Sequence, residues 1–566
     1  MSVARLSRRR LAPSMPTGPE ILKRLDALKN EAANHREQWE RMAPYIAPSR
    51  RGILSQWTPG TKQTQNVFDS TTMMAAELMS QFMASNTIDP AQQWMGWEPD
   101  DPEIAKDDEA REWCEESRNR YLKELLGSQF YAEGVEALVD YGGFGTGYLL
   151  CEEAPHPVNQ VKTGFRGFYF KAERTGRFHI SEGPDGIVDT GFREFESTVA
   201  AIVKQFGEGN CSQGVQKLNA NGKFDDKVKM VHAVVPRPSG EQTAGYKGMP
   251  WASCWVEVES KHVCDEKGYR TFHAAVPRYS KTPGEVFGRG RGDLAFSDTW
   301  TLNQMKRLSL EDMAMKLRPP LFVASDSVIG TLKLVPGGPT SINTHGRDIR
   351  NVMMPYDTGS RPEVSNIKEE ELRKTIREIF YVEHILELMR VQKSEMTAYE
   401  FAKKLNLLFK ILGPVYGRLQ REFLYVITEI GFDIMYHAGA FSPPPEIMFR
   451  NGKIKTVYHN PIARAQRAVD AETLALVLND LAPLAQALGP SVLDPIDPDK
   501  TASGIMTNRG FPALWTRSSK EIEALRGARQ QQQEQELATA QAAQYAESAG
   551  KVAPLIKVLG EGQKTA

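Results

Sequence analysis

Cysteine is scarce in this chain. Its 566 residues hold five (Cys114, Cys151, Cys211, Cys254, Cys264), and no two form a C-x-x-C pair. An odd count without that spacing argues against a disulfide framework and points to a reducing cytoplasm. Long apolar runs are missing as well: no stretch of 18 or more apolar residues occurs, which excludes a membrane-spanning helix by hydropathy. The N-terminal MSVARLSRRRLAPSMP carries charge but lacks the apolar segment of a signal peptide. There is no excess of charge either. With 70 basic and 71 acidic residues the net charge is −1, so any nucleic-acid contact must be local rather than driven by a global field.

Signatures of enzyme chemistry are absent too. The Gly-Lys pairs at 222, 452 and 550 are followed by Phe, Ile and Val, so none completes a P-loop. GGFGTGYLL and GRGRGD are rich in glycine but lack G-x-G-x-x-G spacing, and are read as turns or close backbone approaches. Neither H-E-x-x-H nor G-x-S-x-G is present. His384 stands alone in an apolar helical pattern, which predicts a buried, satisfied imidazole. The acidic run DDPEIAKDDE (100–109) contains Lys106 and precedes a helical pattern, so it is read as a solvated first turn. No catalytic residue, metal or cofactor is expected.

What is present describes a globular, predominantly helical α+β protein, 41% hydrophobic and 25% charged. A basic arm occupies the first 18 residues and helical spacing dominates to about 150. Short aromatic and β-branched runs broken by Gly and Pro then predict a β-rich insert over about 148–285. Helical spacing returns over 294–317 and ends at Arg318-Pro319-Pro320. A β-and-turn segment follows, and a second helix is expected over about 367–391, charged at its start and apolar on nearly every face thereafter. Such a helix must be buried on all sides. Each of these two helices would be about 36 Å long.

From 398 to about 434, Ala402, Leu405, Phe409, Leu412, Tyr416, Leu419, Phe423, Val426 and Ile430 keep near-heptad spacing, predicting one long helix. Gly413 and Pro414 interrupt it without breaking register. A proline there removes an internal hydrogen bond at a cost of about 3 kcal/mol, so a required bend is expected. A helical segment begins near 460, and a Gln/Ala-rich helix or tail covers 527–549.

Four stretches in order, VFDSTTMMAAELMSQFM (67–83), GRGRGDLAFSDTWTLNQM (288–305), MTAYEFAKKL through LGPVYGRLQREF (396–423) and NPIARAQRA (460–468), resemble the head-to-tail connector, or portal, proteins of T7-like short-tailed bacteriophages. Asn406 departs from the acidic residue expected in that family's helix, and GRGRGD is more basic than its counterpart. The resemblance implies a ring of identical subunits, usually twelve, at one capsid vertex of the virion, assembled in the host cytoplasm, with a channel for double-stranded DNA packaging and ejection. It divides the chain into an N-terminal arm and wing (1–290), a first stem helix (291–318), a clip (319–366), a second stem helix (367–391), a tunnel loop (392–397), a kinked wing helix with a following strand (398–459) and a crown or C-terminal helical region (460–566).

Implied partners are the terminase large subunit, tail adaptor or nozzle proteins, major capsid and scaffolding proteins, and internal core proteins, with a role in nucleating the procapsid; no membrane is involved. DNA-channel candidates are Arg390, Gln392, Lys393, Ser394 and Glu395 at the tunnel loop, and Arg373, Lys374 and Arg377 on the stem. For the stem residues, ion pairing across subunits with Glu369, Glu370, Glu371 or Glu378 is an equal alternative. A helical adaptor or scaffold, and a DNA-processing enzyme, are the competing classes. The β-rich insert speaks against the first and the missing P-loop against the second.

Overall fold

A computed structural model describes residues 17–54, 64–154, 164–237, 248–317, 362–391, 412–451 and 453–459, with isolated residues and short stretches at 60, 319–355, 408 and 477–541. The chain forms two compact units, one built from 1–96, 117–442 and 458–466, the other from 97–116, 443–457 and 467–566.

In the first unit, helix α1 (Gly18–Glu31) begins where the sequence signals a start. Thr17 and Glu20 form a capping box, with the Thr17 amide donating to Glu20 Oε2 at 2.7 Å, and Pro19 sits in the first turn. Ile21, Leu25 and Leu28 form its apolar stripe. The stripe packs on a five-stranded antiparallel sheet whose order follows the chain: β4 (Phe178–Glu182), β5 (Val188–Thr198), β6 (Lys227–Pro236), β7 (Trp251–Glu257) and β8 (Val263–Tyr269).

Alternation decides which side chain faces which layer. Val231, Ala233 and Val235 of β6 and Ala252, Cys254 and Val256 of β7 meet α1, whereas Met230 and Trp255 meet the two short helices α6 (Val199–Phe206) and α7 (Gln213–Ala220) on the other face. Each buried Ile, Leu or Val contributes roughly 1.5–3 kcal/mol. The sheet is thus covered on both sides, and the expected β-rich insert is present. All five cysteines are buried free thiols.

A smaller sheet, ordered β3 (Phe168–Ala172), β2 (Leu149–Glu153) and β9 (Ala274–Ala275), follows helix α5 (Phe130–Phe144). GGFGTG closes α5 and leads toward β2, and it lies against GRGRGD. A Cβ on Gly145 would sit 2.4 Å from the Gly288 carbonyl oxygen, and one on Gly292 would sit 2.3 Å from that of Gly143. Gly145 also adopts φ +89°. Both segments are therefore close backbone approaches, to each other.

Helix α8 (Arg291–Leu317) grows directly out of GRGRGD, three residues earlier than the spacing alone indicated. The second helix differs from expectation. Instead of one element over 367–391 the chain forms α9 (Pro362–Ile379) and α10 (Val382–Val391), broken at Phe380 and Tyr381. Tyr381 is held at φ +60°, a region an aromatic residue rarely adopts, and the Arg291 guanidinium lies 4.4 Å above its ring. A contact 90 residues away in the chain thus overrides local helix propensity. His384, expected to be buried, is exposed, because Val382 and Ile385 take the inward face of α10.

Between α8 and α9, Leu321–Val323 pairs with Met353–Pro355 and Val328–Ile329 with Ser341–Ile342, both antiparallel. Residues 412–419 are helical, a π turn occupies Gln420–Leu424, and helix α11 (Tyr425–His437) continues from it. Gly413 and Pro414 lie in the first described turn, and the segment leading into them, apart from Leu408, lies outside the described residues.

The second unit holds most of β1 (Met95–Pro99) and of β14 (Ile454–Tyr458), which pair with each other. The acidic run ends there at a helix start, where Asp107 Oδ1 accepts from the Ala110 amide at 3.0 Å. Residues 524–539 are helical and their described side chains are exposed; nearly all of 460–520 lies outside the described residues.

Candidate functional site

Asp293 opens α8. Its carboxylate accepts from the Gly290 amide at 2.7 Å and from Gln38 at 2.6 Å, as suits a negative charge at a helix N-terminus. Burial nevertheless pushes this carboxyl up to about 6.

Two further contacts tie α8 to helix α3 (Thr71–Thr87) and the residues leading into it. Asn303 Oδ1 accepts from the Phe68 amide at 2.7 Å, and the Thr72 and Thr299 hydroxyls are 2.8 Å apart. Two of the four stretches that carry the family resemblance are therefore side by side. In a third stretch, Glu422 of the π turn accepts at 2.6 Å from Arg278, which is 1% exposed and has Glu182 as its other ionic partner. Such a turn re-aims one side chain within an otherwise regular helix.

Helices α8 and α9 run antiparallel, since Ser309 pairs with Ser365 and Lys306 with Glu369. Glu369 is fully buried (0% exposed) between them and accepts from Ser309 at 2.7 Å, Lys306 at 3.2 Å and Arg373 at 3.1 Å. Burial alone would raise this carboxyl, but these donors hold it below its ordinary value. Arg373 also reaches Asp69 at 3.0 Å and Glu370 at 3.3 Å, and Arg377 pairs with Glu370 at 2.8 Å and Glu383 at 2.7 Å.

Of the stem candidates, Arg373 and Arg377 thus have their charges taken up within one chain. Lys374 is different: its side chain is 67% exposed and its partner Glu378 is 3.8 Å away. Arg390 lies in α10 with its side chain outside the described residues, as are Gln392, Lys393, Ser394 and Glu395 entirely. Asp69, Lys306 and Ser309 were not singled out by sequence reasoning. The Glu369–Arg373 and Lys374–Glu378 pairs are i,i+4 and legible from spacing; Asp69, 304 residues from Arg373, carries no local signal.

The far half of α8 has the opposite character. Leu308 (62%), Leu310, Met313, Met315 and Leu317 (77%) are exposed, as is Ile367 of α9. Apolar side chains on several faces of one helix end form a patch a lone chain does not cover. No helix among the described residues is long and apolar enough to cross a membrane.

The sequence profile of the family described as "Bacteriophage head to tail connecting protein" matches residues 19–515. Over 538 residues, covering 94% of each chain, the protein is 24% identical to the probable portal protein of Bordetella phage BPP-1. Over 535 residues, 92% of this chain and 93% of the other, it is 25% identical to the portal protein of Salmonella phage epsilon15. A profile match across nearly the whole length makes this chain a member of the bacteriophage head-to-tail connecting proteins.

Proposed function

We propose that this connector is the portal subunit of a short-tailed phage: a closed ring at one capsid vertex through which double-stranded DNA is packaged and ejected. The match over residues 19–515 carries this reading. The ring is a head-to-tail arrangement of identical copies, closed by rotation. Helices α8 and α9 with α10 serve as its stem, and the uncovered apolar half of α8 is where the neighbouring subunit packs. Twelve copies, a clip formed from 319–366 facing the terminase and later the tail adaptors, and a crown from 460 onward complete the proposal.

Charge supports a conduit rather than a clamp. A protein gripping 6–10 phosphates changes affinity by about 10³–10⁵ between 50 and 200 mM salt, and such a grip opposes sliding. Arg373 and Arg377 are neutralised by carboxylates in their own chain, which leaves Lys374 as the stem cation best placed to touch DNA, together with Arg390 and Lys393 near the tunnel loop. Gly413 and Pro414 are assigned the bend by which the long helix leaves the channel wall.

Electron microscopy of the purified protein with native mass determination tests the reading. Closed rings with a central hole, at an integer multiple of 63.3 kDa, are expected. A monodisperse monomer at high concentration and in the presence of scaffolding protein would return the chain to the adaptor class.

A further inference from the structure

Glu152, His232 and His273 come from three places in the chain, strand β2, strand β6 and the turn entering β9, and one ligand atom from each lies within 4.8 Å of the other two. The two histidines are 1% and 2% exposed. Each uses Nε2 for a hydrogen bond, to Ser253 Oγ at 2.9 Å for His232 and to the Tyr148 hydroxyl at 3.2 Å for His273. Each leaves Nδ1 buried without a hydrogen-bond partner. A buried ring nitrogen without a partner, here one on each histidine, is unusual in a folded interior and requires a cause.

Metal-binding histidines have this pattern: one ring nitrogen engaged by a neighbouring polar group that fixes the ring, the other presenting a lone pair. The third group is oriented as well, because the Tyr269 hydroxyl donates to Glu152 Oε1 at 2.5 Å. Trp255 stacks on His232 at 4.0 Å and Tyr269 on His273 at 5.2 Å, which restricts ring rotation. Two positive charges lie near: Arg193, which Glu173 takes up at 3.0 Å, and Lys267, which Asp265 takes up at 3.0 Å. Glu152 and His273 also line a cavity of about 630 Å³ shared with Arg270, Asp433 and His437, which supplies an entry path and room for water.

We propose that Glu152, His232 and His273 bind one divalent first-row transition cation of the zinc class. The fourth position faces the cavity and holds water. Two imidazoles and one carboxylate suit zinc or cobalt and disfavour magnesium or calcium, which take oxygen ligands. Since Glu152 belongs to the three-stranded sheet and His232 to the five-stranded sheet, the ion staples the two sheets together. This assignment stands apart from the connector reading and does not depend on ring formation.

The full-length protein, stripped with chelator and dialysed against Co²⁺, tests it. One equivalent per chain with visible absorption bands of a tetrahedral or five-coordinate site is expected, together with a higher melting temperature in Co²⁺ or Zn²⁺ than in chelator. Glu152→Gln, which preserves size and the Tyr269 contact, and His273→Gln should each weaken binding at least tenfold. Exposed His262, beside β8, serves as control, and His262→Gln should leave the spectrum unchanged. Circular dichroism of the metal-free variants checks folding. If wild-type protein acquires no saturable cobalt spectrum, or if Glu152→Gln and His273→Gln retain it at full strength, the assignment is overturned.

Discussion

Glu194 lies on β5 with the Lys29 ammonium as its ion-pair partner and the buried imidazole of His179 at 3.6 Å. Burial pushes this carboxyl up, but the two bases outweigh it and bring it down to about 2 from an ordinary value of 4.5. A carboxyl depressed on folding adds stability above its unfolded pKa and loses it as pH falls toward the folded one. Glu194→Gln should therefore lower stability at pH 7 by on the order of 2–3 kcal/mol, with screening allowed for. The gap between variant and wild type should close between about pH 4.5 and 2. Denaturation midpoints of both proteins across that range check it, and a gap independent of pH would assign the cost to packing instead.

At the scale of elements, the α8–α9 pair depends on one buried carboxylate. Removing Glu369 leaves Lys306 and Arg373 facing each other without their shared partner. Breaking a buried ion pair by deleting one side costs about 3–5 kcal/mol, so Glu369→Ala should lower the melting temperature by several degrees, whereas Lys368→Ala, whose exposed partner is Glu371, should barely move it. The glycine approach makes a second contrast. A methyl at Gly292 would collide with the Gly143 carbonyl and with Ile46 at 2.3 Å, while one at Gly417 meets nothing within 4 Å. Gly292→Ala should destabilise by roughly 1–3 kcal/mol, and Gly417→Ala should stabilise by up to about 1 kcal/mol as a helix-interior replacement. Thermal unfolding of the two single variants reads both signs.

At the scale of the whole molecule, the exposed apolar end of α8 and the paired charges of α9 assign different tasks to neighbouring helices. Leu308→Glu combined with Met315→Glu changes side chains that a single chain already exposes, so circular dichroism should be unchanged. If a neighbouring subunit packs on that patch, the double variant should fail to form rings, because two carboxylates would be buried without partners. Native mass and electron microscopy measure this directly. Rings of normal size from the variant would move the subunit contact elsewhere.

Local patterns alone determined much of this protein. The apolar stripe of α1, the β-rich insert, the C-terminal end of α8 and the role of the two glycine-rich segments as close approaches were all legible, because each depends on neighbours within a few residues or on a residue type with one special property. The order of four short stretches was enough to indicate the family that the profile over 19–515 establishes. The rest was decided only when distant parts met. Tyr381 breaks a helix that its own neighbours favour because Arg291 sits on its ring, and His384 faces outward because Val382 and Ile385 take the inward face of α10. Asp69 holds Arg373 across 304 residues, and Glu152 meets His232 and His273 although no spacing in the chain announces them. Periodicity encodes which face of an element is buried; it does not encode which other element arrives there, and charge pairing and ligand sets depend on that arrival.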